Sequence, residues 1–182
     1  MFAIEYLEQE HSYILKLTNR IEEESLKILN GENVDIDFFK NSVLYIKKFA
    51  DAEHHKKEED IFFKYMVENL GAVAEKLIKN GMLVEHDMAR FYILSLSEAI
   101  SSYEENGDDK SKLYIITNAM NYAELLRRHI DKENNVVYTF GERELSEEVK
   151  NKIEEEMKNR VKEEKINEDE KNSLLEKLNI VM

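Results

Sequence analysis

The sequence predicts an all-α protein: an up-down-up-down four-helix bundle with an appended C-terminal helical hairpin. Three observations predict it. Apolar residues recur at three- and four-residue spacing almost throughout, the period of a helix with one buried face. The 182 residues include no proline and only 5 glycines, so little breaks a helix and little serves tight turns. Short polar connections separate four long periodic segments, and short links make consecutive helices antiparallel neighbours.

The first segment runs from about Ala3 to Leu29, with Ile4, Leu7, Ile14, Ile21 and Ile28 on one stripe and Asn30-Gly31 as its stop. The second starts near Asp35 or Asp37, either of which suits an N-cap. It carries Val43, Ala50, Ile61 and Tyr65 inward and ends near Asn69-Leu70-Gly71. The third covers roughly Ala72 to Glu105 through Met82, Ala89, Ile93, Leu96, Ile100 and Tyr103, with Gly81 as a kink or a late start. The fourth follows Asn106-Gly107-Asp108-Asp109, with Ile115, Ala119, Tyr122, Leu126, Val136 and Phe140 inward, and fades at Gly141. Residues 1–141 thus form the bundle.

Residues 142–182 are a separate, highly charged extension. Leu145, Val149, Ile153, Met157 and Val161 recur every four residues behind Ser146, an N-cap candidate. Asn167 with Glu170 reads as a capping box for a last short helix carrying Leu174, Leu175 and Leu178. This hairpin is expected to pack on its own bundle, or else to form a homodimer contact or dock a redox partner.

Composition excludes whole classes of function. The net charge of -13 argues against nucleic acid and anionic membrane surfaces, both polyanions. With no cysteine there are no disulfides, no thiol nucleophile and no Cys-ligated iron–sulfur cluster. The opening MFAIEYLEQEH has no basic leader, and no run approaches the ~18 apolar residues of a membrane span. A cytoplasmic location is the expectation.

The chemistry lies in the histidines. His11, His54, His86 and His129 each interrupt a different apolar seam, and His54 and His129 are each followed four residues later by a glutamate, Glu58 and Glu133. That spacing stacks imidazole and carboxylate on one helix face. With connections centred near residues 32 and 108, His11, His54, His86 and His129 lie 21, 22, 22 and 21 residues from them. Antiparallel helices rise equally, so the four histidines share one layer. One histidine on an apolar stripe is ordinary; four at one depth with two carboxylates are not, because an unpaired buried carboxylate costs several kcal/mol unless a cation takes it. His55 lies ~100° round the helix from His54, towards the flank shared with Phe62; it either supplies one metal with a fifth nitrogen or sits between helices. Imidazole with carboxylate suits iron, manganese or zinc rather than calcium or magnesium. On two six-coordinate ions, four imidazoles, two bridging glutamates and an oxo or hydroxo bridge leave about one open position per ion. Such a centre accepts a small molecule.

The segments Glu10-His11, His54-His55-Lys56-Lys57-Glu58-Glu59-Asp60-Ile61-Phe62, Glu85-His86-Asp87 and His129-Ile130-Asp131-Lys132-Glu133-Asn134-Asn135-Val136 resemble the hemerythrin-like (HHE cation-binding) domains over about residues 1–141. The resemblance implies a non-haem di-iron site with His11, His54, Glu58, His86, His129 and Glu133 as ligands. Oxygen-carrying hemerythrins place a second histidine one turn after the third-helix ligand; here that position is Arg90, so reversible oxygen carriage is not expected. The four-His, two-Glu count is closer to bacterial di-iron proteins of nitrosative stress and iron-centre repair. Those also carry a cysteine-bearing N-terminal segment, so with no cysteine here their thiol-dependent repair does not carry over. The function expected is a di-iron protein that binds or senses a small oxidant (O₂, NO or peroxide) in oxidative or nitrosative stress or iron homeostasis. The alternatives are an enzyme reducing NO or peroxide at the same metals and an adaptor bundle holding structural metal.

Overall fold

The computed structural model describes residues 1–181, and every regular element among them is helical. The elements are α1 (Phe2–Leu29), α2 (Ile36–Tyr45), α3 (Phe63–Leu77), α4 (Leu83–Asn106), α5 (Asp109–Lys132), α6 (Tyr138–Glu144), α7 (Glu147–Glu164) and α8 (Glu168–Lys177). Wider π-helical stretches, Ile46–His55, Glu58–Phe62, Ile78–Met82 and Glu133–Val137, join several of them end to end. Four long rods result: α1; α2 through the first part of α3; the rest of α3 through α4; and α5 through α6.

Local chemistry sets the rod ends. Asp35 caps α2 by accepting from the Phe38 N–H at 2.9 Å, and Asp108 caps α5 by accepting from the Ser111 N–H at 2.8 Å. Gly107 closes α4 in the left-handed conformation at φ 62°. The turn between the second and third rods is Gly71, at φ 67° and ψ -156°, backbone that only glycine adopts without strain. Gly81 starts no helix; it lies within the π-helical stretch Ile78–Met82 that joins α3 to α4.

Gly141 does not end the fourth rod, which continues to Glu144. The glycine is there for close packing: a Cβ on it would lie 2.8 Å from Phe62 Cζ. The inward face here also differs from the expected one. Val136 is exposed, while Val137, Tyr138 and Gly141 are buried. The π-helical turn Glu133–Val137 inserts one residue and moves the buried face one position along.

Two apolar clusters fill the interior. One contains Ile14, Leu17, Ile21, Phe38, Phe39, Ala50, Ala89, Ile93, Leu96, Ile115, Tyr122 and Leu126. The other contains Leu7, Ile61, Phe62, Phe63, Met66, Ile78, Met82, Val137 and Tyr138. His11 falls between Leu7 and Ile14, His54 between Ala50 and Ile61, His86 between Met82 and Ala89, and His129 between Leu126 and Val137. The polar layer therefore divides the core.

The C-terminal helices complete both clusters, with Ile153 and Met157 joining one and Leu174, Leu175 and Leu178 the other. Ser146 caps α7 at the Val149 N–H. Asn167 makes no such cap for α8: its side-chain amide donates instead to Glu53 Oε1 at 2.9 Å, and a contact to the bundle takes the place of the local box. None of the described helices is long and apolar enough to cross a membrane.

Candidate metal centre

The structure brings His11, His54, Glu58, His86, His129 and Glu133 into one buried layer, and His55 with them. Their ligand-type atoms form two overlapping quartets, His55, Glu58, His86, His129 and His11, His54, Glu58, Glu133; within each, all the atoms lie within 4.8 Å of one another. Glu58 belongs to both. Its Oε2 lies 3.6 Å from His54 Nε2 and 3.4 Å from His86 Nε2. Glu133 Oε1 lies 3.0 Å from His129 Nε2 and 3.7 Å from His86 Nε2, and its Oε2 3.3 Å from His11 Nε2. His86 Nε2 and His129 Nε2 face each other at 3.1 Å.

His55 reaches this layer because it ends a π-helical stretch. The i→i+5 pattern places more residues in each turn, so consecutive side chains diverge less than the ~100° of an α-helix. His54 and His55 both turn inward and each is 2% exposed.

All five imidazoles are held the same way. Each Nδ1 meets an oxygen outside the layer: His11 with Asn134 Oδ1 at 2.7 Å, His54 with Glu10 Oε2 at 3.0 Å, His55 with Asp51 Oδ1 at 3.3 Å, His86 with Glu59 Oε1 at 2.8 Å and His129 with Glu85 Oε2 at 2.8 Å. Such a partner fixes the tautomer with the proton on Nδ1 and leaves the Nε2 lone pair aimed inward, as metal-binding histidines require. Sequence reading assigned no role to Glu10, Asp51, Glu59, Glu85 or Asn134. Their signal was adjacency, since Glu10, Glu85 and Glu59 each directly flank a site residue.

Tyr138 was missed as well. Its hydroxyl donates a short hydrogen bond to Glu58 Oε1 and lies 3.5 Å from His11 Nε2. Tyr138 stands five residues after Glu133; in an α-helix that is ~140° off the face, but the π-helical turn brings it back.

The electrostatics of the bare side chains test whether a cation fits. Glu58 Oε2, both oxygens of Glu133 and His55 Nε2 are buried without a hydrogen-bond partner among the described residues. Burial, then the Glu133 charge, pushes the Glu58 carboxyl well above its ordinary value. Burial alone would raise Glu133 too, but His129 and the other imidazoles hold it well below. Burial pushes His54 down to about 4. Burial pulls His129 down, but the charges and hydrogen bonds of Glu133 and Glu85 together outweigh it and drive the imidazole up to about 9. Several unsatisfied lone pairs converging in a dry core are costly without a cation, and a cation satisfies them together. The donor set, imidazole nitrogen with carboxylate oxygen, is that of a transition-metal centre.

Arg90 does not enter the layer. It donates to Asp51 Oδ1 from Nε at 2.8 Å and to Glu59 Oε1 from Nη2 at 2.7 Å, and so grips the carboxylates behind His55 and His86. Lys57 is fully buried between Glu10 Oε1 at 3.1 Å and Glu164 Oε2 at 2.5 Å. It links the carboxylate behind His54 to α7.

Fold and site together define a helical protein of the metal-binding class, with candidate ligands from all four rods. The chain belongs to the hemerythrin family: the model of the hemerythrin HHE cation-binding domain matches residues 3–140. Neither the curated proteins nor the solved structures give a match.

Proposed function

We propose that this protein holds two iron ions between His11, His54, His55, His86, His129 and the shared carboxylates Glu58 and Glu133, and uses them to bind or sense a small oxidant: O₂, NO or peroxide. Within this reading, residues 1–141 are an up-down-up-down bundle and residues 142–182 a C-terminal hairpin appended to it. One observation carries the proposal: two buried ligand quartets share Glu58, and each histidine has its own outer oxygen partner. An adaptor with structural metal has no need of the three-and-two division of histidines, which leaves the His11–His54 position poorer in nitrogen and more open to a ligand.

When bound, the metal pair supplies Lewis acidity and one-electron chemistry at an open position. The chain supplies the rest. The outer oxygens hold the imidazoles in the ligating tautomer. Phe62, Phe63, Leu7 and Ile61 keep bulk water from one side of the layer. Tyr138 holds a proton at its hydroxyl against Glu58; burial pushes that phenol well above its ordinary value. A proton held beside a shared carboxylate also favours a second reading, an enzyme that reduces NO or peroxide with electrons from a redox partner.

The test is metal analysis with an optical spectrum of anaerobically purified protein, before and after air, azide or NO. Two irons per chain with ligand-dependent bands are expected. Two zinc ions and no spectrum would overturn the proposal, and steady consumption of NO or peroxide with a reductant would establish the enzyme.

A further inference from the structure

A pocket of about 100 Å³ lies against His55, between the π-helical stretch of the second rod, α4 and α5. Ile46, Ala89 and Ile93 give it apolar walls, and Tyr122 lines it from α5. Tyr122 is fully buried, and its hydroxyl has no hydrogen-bond partner among the described residues. An unpaired buried hydroxyl costs about 1–3 kcal/mol, and phenylalanine would pack the position without it. Burial pushes this phenol far up, so it remains a hydrogen-bond donor. Towards solvent the lining changes to Asp51 and Arg90, which are partly exposed. Asp51 is also the residue that meets His55 Nδ1. One ion pair therefore forms both the outer wall of the cavity and the anchor of the imidazole.

Size and charge limit what enters. A water takes ~30 Å³ of liquid volume, so the space suits a molecule of two or three heavy atoms. Arg90 is paired with Asp51, Glu59 and Asp87, Lys47 stands exposed at the rim, and the apolar inner walls disfavour a ligand that carries charge.

We propose that this pocket is the docking and entry site for a neutral diatomic ligand with a lone pair, which passes the Asp51–Arg90 pair and accepts a hydrogen bond from Tyr122 before it moves past His55 into the metal layer, where the more open His11–His54 position receives it. Only its final step rests on the metal reading above.

Xenon and NO test it. Crystals of the protein as purified, under xenon pressure, should show xenon between Ala89, Ile93 and Tyr122, since small apolar-walled cavities take it up. Tyr122→Phe should retain the xenon, and Ala89→Leu should exclude it. In anaerobic iron-loaded protein, stopped-flow NO binding should slow at least tenfold in Ala89→Leu and quicken severalfold in Arg90→Ala. Should Ala89→Leu fail to fold by circular dichroism, Ile93→Phe fills the same space from the next turn. No xenon in the wild-type cavity overturns the proposal, and so do unchanged NO rates in the filled variant, which would make the cavity a dead end. A chain that takes up no iron is a failure of the metal reading; xenon then decides the cavity by itself.

Discussion

The His55 ring lies over the His86 ring, with centroids 3.8 Å apart and planes 11° from parallel. Stacking brings the two rings close, and both residues belong to the same quartet with Glu58 and His129. The third-helix position that an oxygen carrier fills with imidazole is Arg90 here, and an imidazole from the second rod stands in the layer instead.

His55→Ala should therefore weaken one metal and spare the other. In chelator competition, one ion should leave at least tenfold more readily while its neighbour stays, with helix content unchanged. Identical release of both ions from variant and wild type would show that His55 is not a ligand.

The outer carboxylates have a smaller predicted effect. Glu85 accepts from His129 and also pairs with Lys132. Glu85→Ala frees the imidazole to rotate and should lower metal affinity about 10–100-fold, with the fold intact by circular dichroism. Unchanged affinity would mean that the orientation of His129 is set by packing alone.

How much of this was legible in the sequence follows from helix period. The four-residue steps His54–Glu58 and His129–Glu133, and the equal depths of four histidines, are α-helical arithmetic, and the structure brings those six residues together. The sequence leaves His55 with two placements, and Tyr138 and the shift from Val136 to Val137 escape it, for one reason: each lies in or beside a π-helical stretch, where the 3.6-residue period fails. Nothing in local propensity marks such a stretch. The burial of Lys57 was equally invisible, because its partners Glu10 and Glu164 come from distant parts of the chain.

Gly141 gives a prediction on packing. A methyl group there would meet Phe62 Cζ at 2.8 Å and Met66 Sδ at 3.1 Å, so Gly141→Ala should cost about 1–3 kcal/mol as overpacking does. Adding Phe62→Leu should restore part of the loss in a denaturation series. A Gly141→Ala variant as stable as wild type would show that Phe62 moves aside freely.

Metal-free protein should be most stable near neutral pH. Burial pushes His54 down to about 4, and burial with the His86 charge pushes His55 down too. Below a pH of ~6.5 the unfolded chain takes protons that these folded histidines refuse, so stability falls; His54 alone contributes about 3 kcal/mol of loss by pH 4. His129 acts in the opposite sense. Its folded value of about 9 means that its contribution is complete below ~6.5 and is lost as pH rises through 9. Thermal melts of chelated protein at pH 5, 6.5 and 9 should peak at the middle value. A monotonic profile would contradict these assignments, and metal should raise the melting temperature at all three.

The central claim is that Glu58 and Glu133 hold a pair of metal ions, and metal stoichiometry in their variants tests it most directly. Wild-type protein should carry two metals per chain; Glu58→Ala and Glu133→Ala should each carry one or none, with helix content preserved. Two metals per chain in both variants would show that neither carboxylate is a ligand, and the dinuclear account would fall.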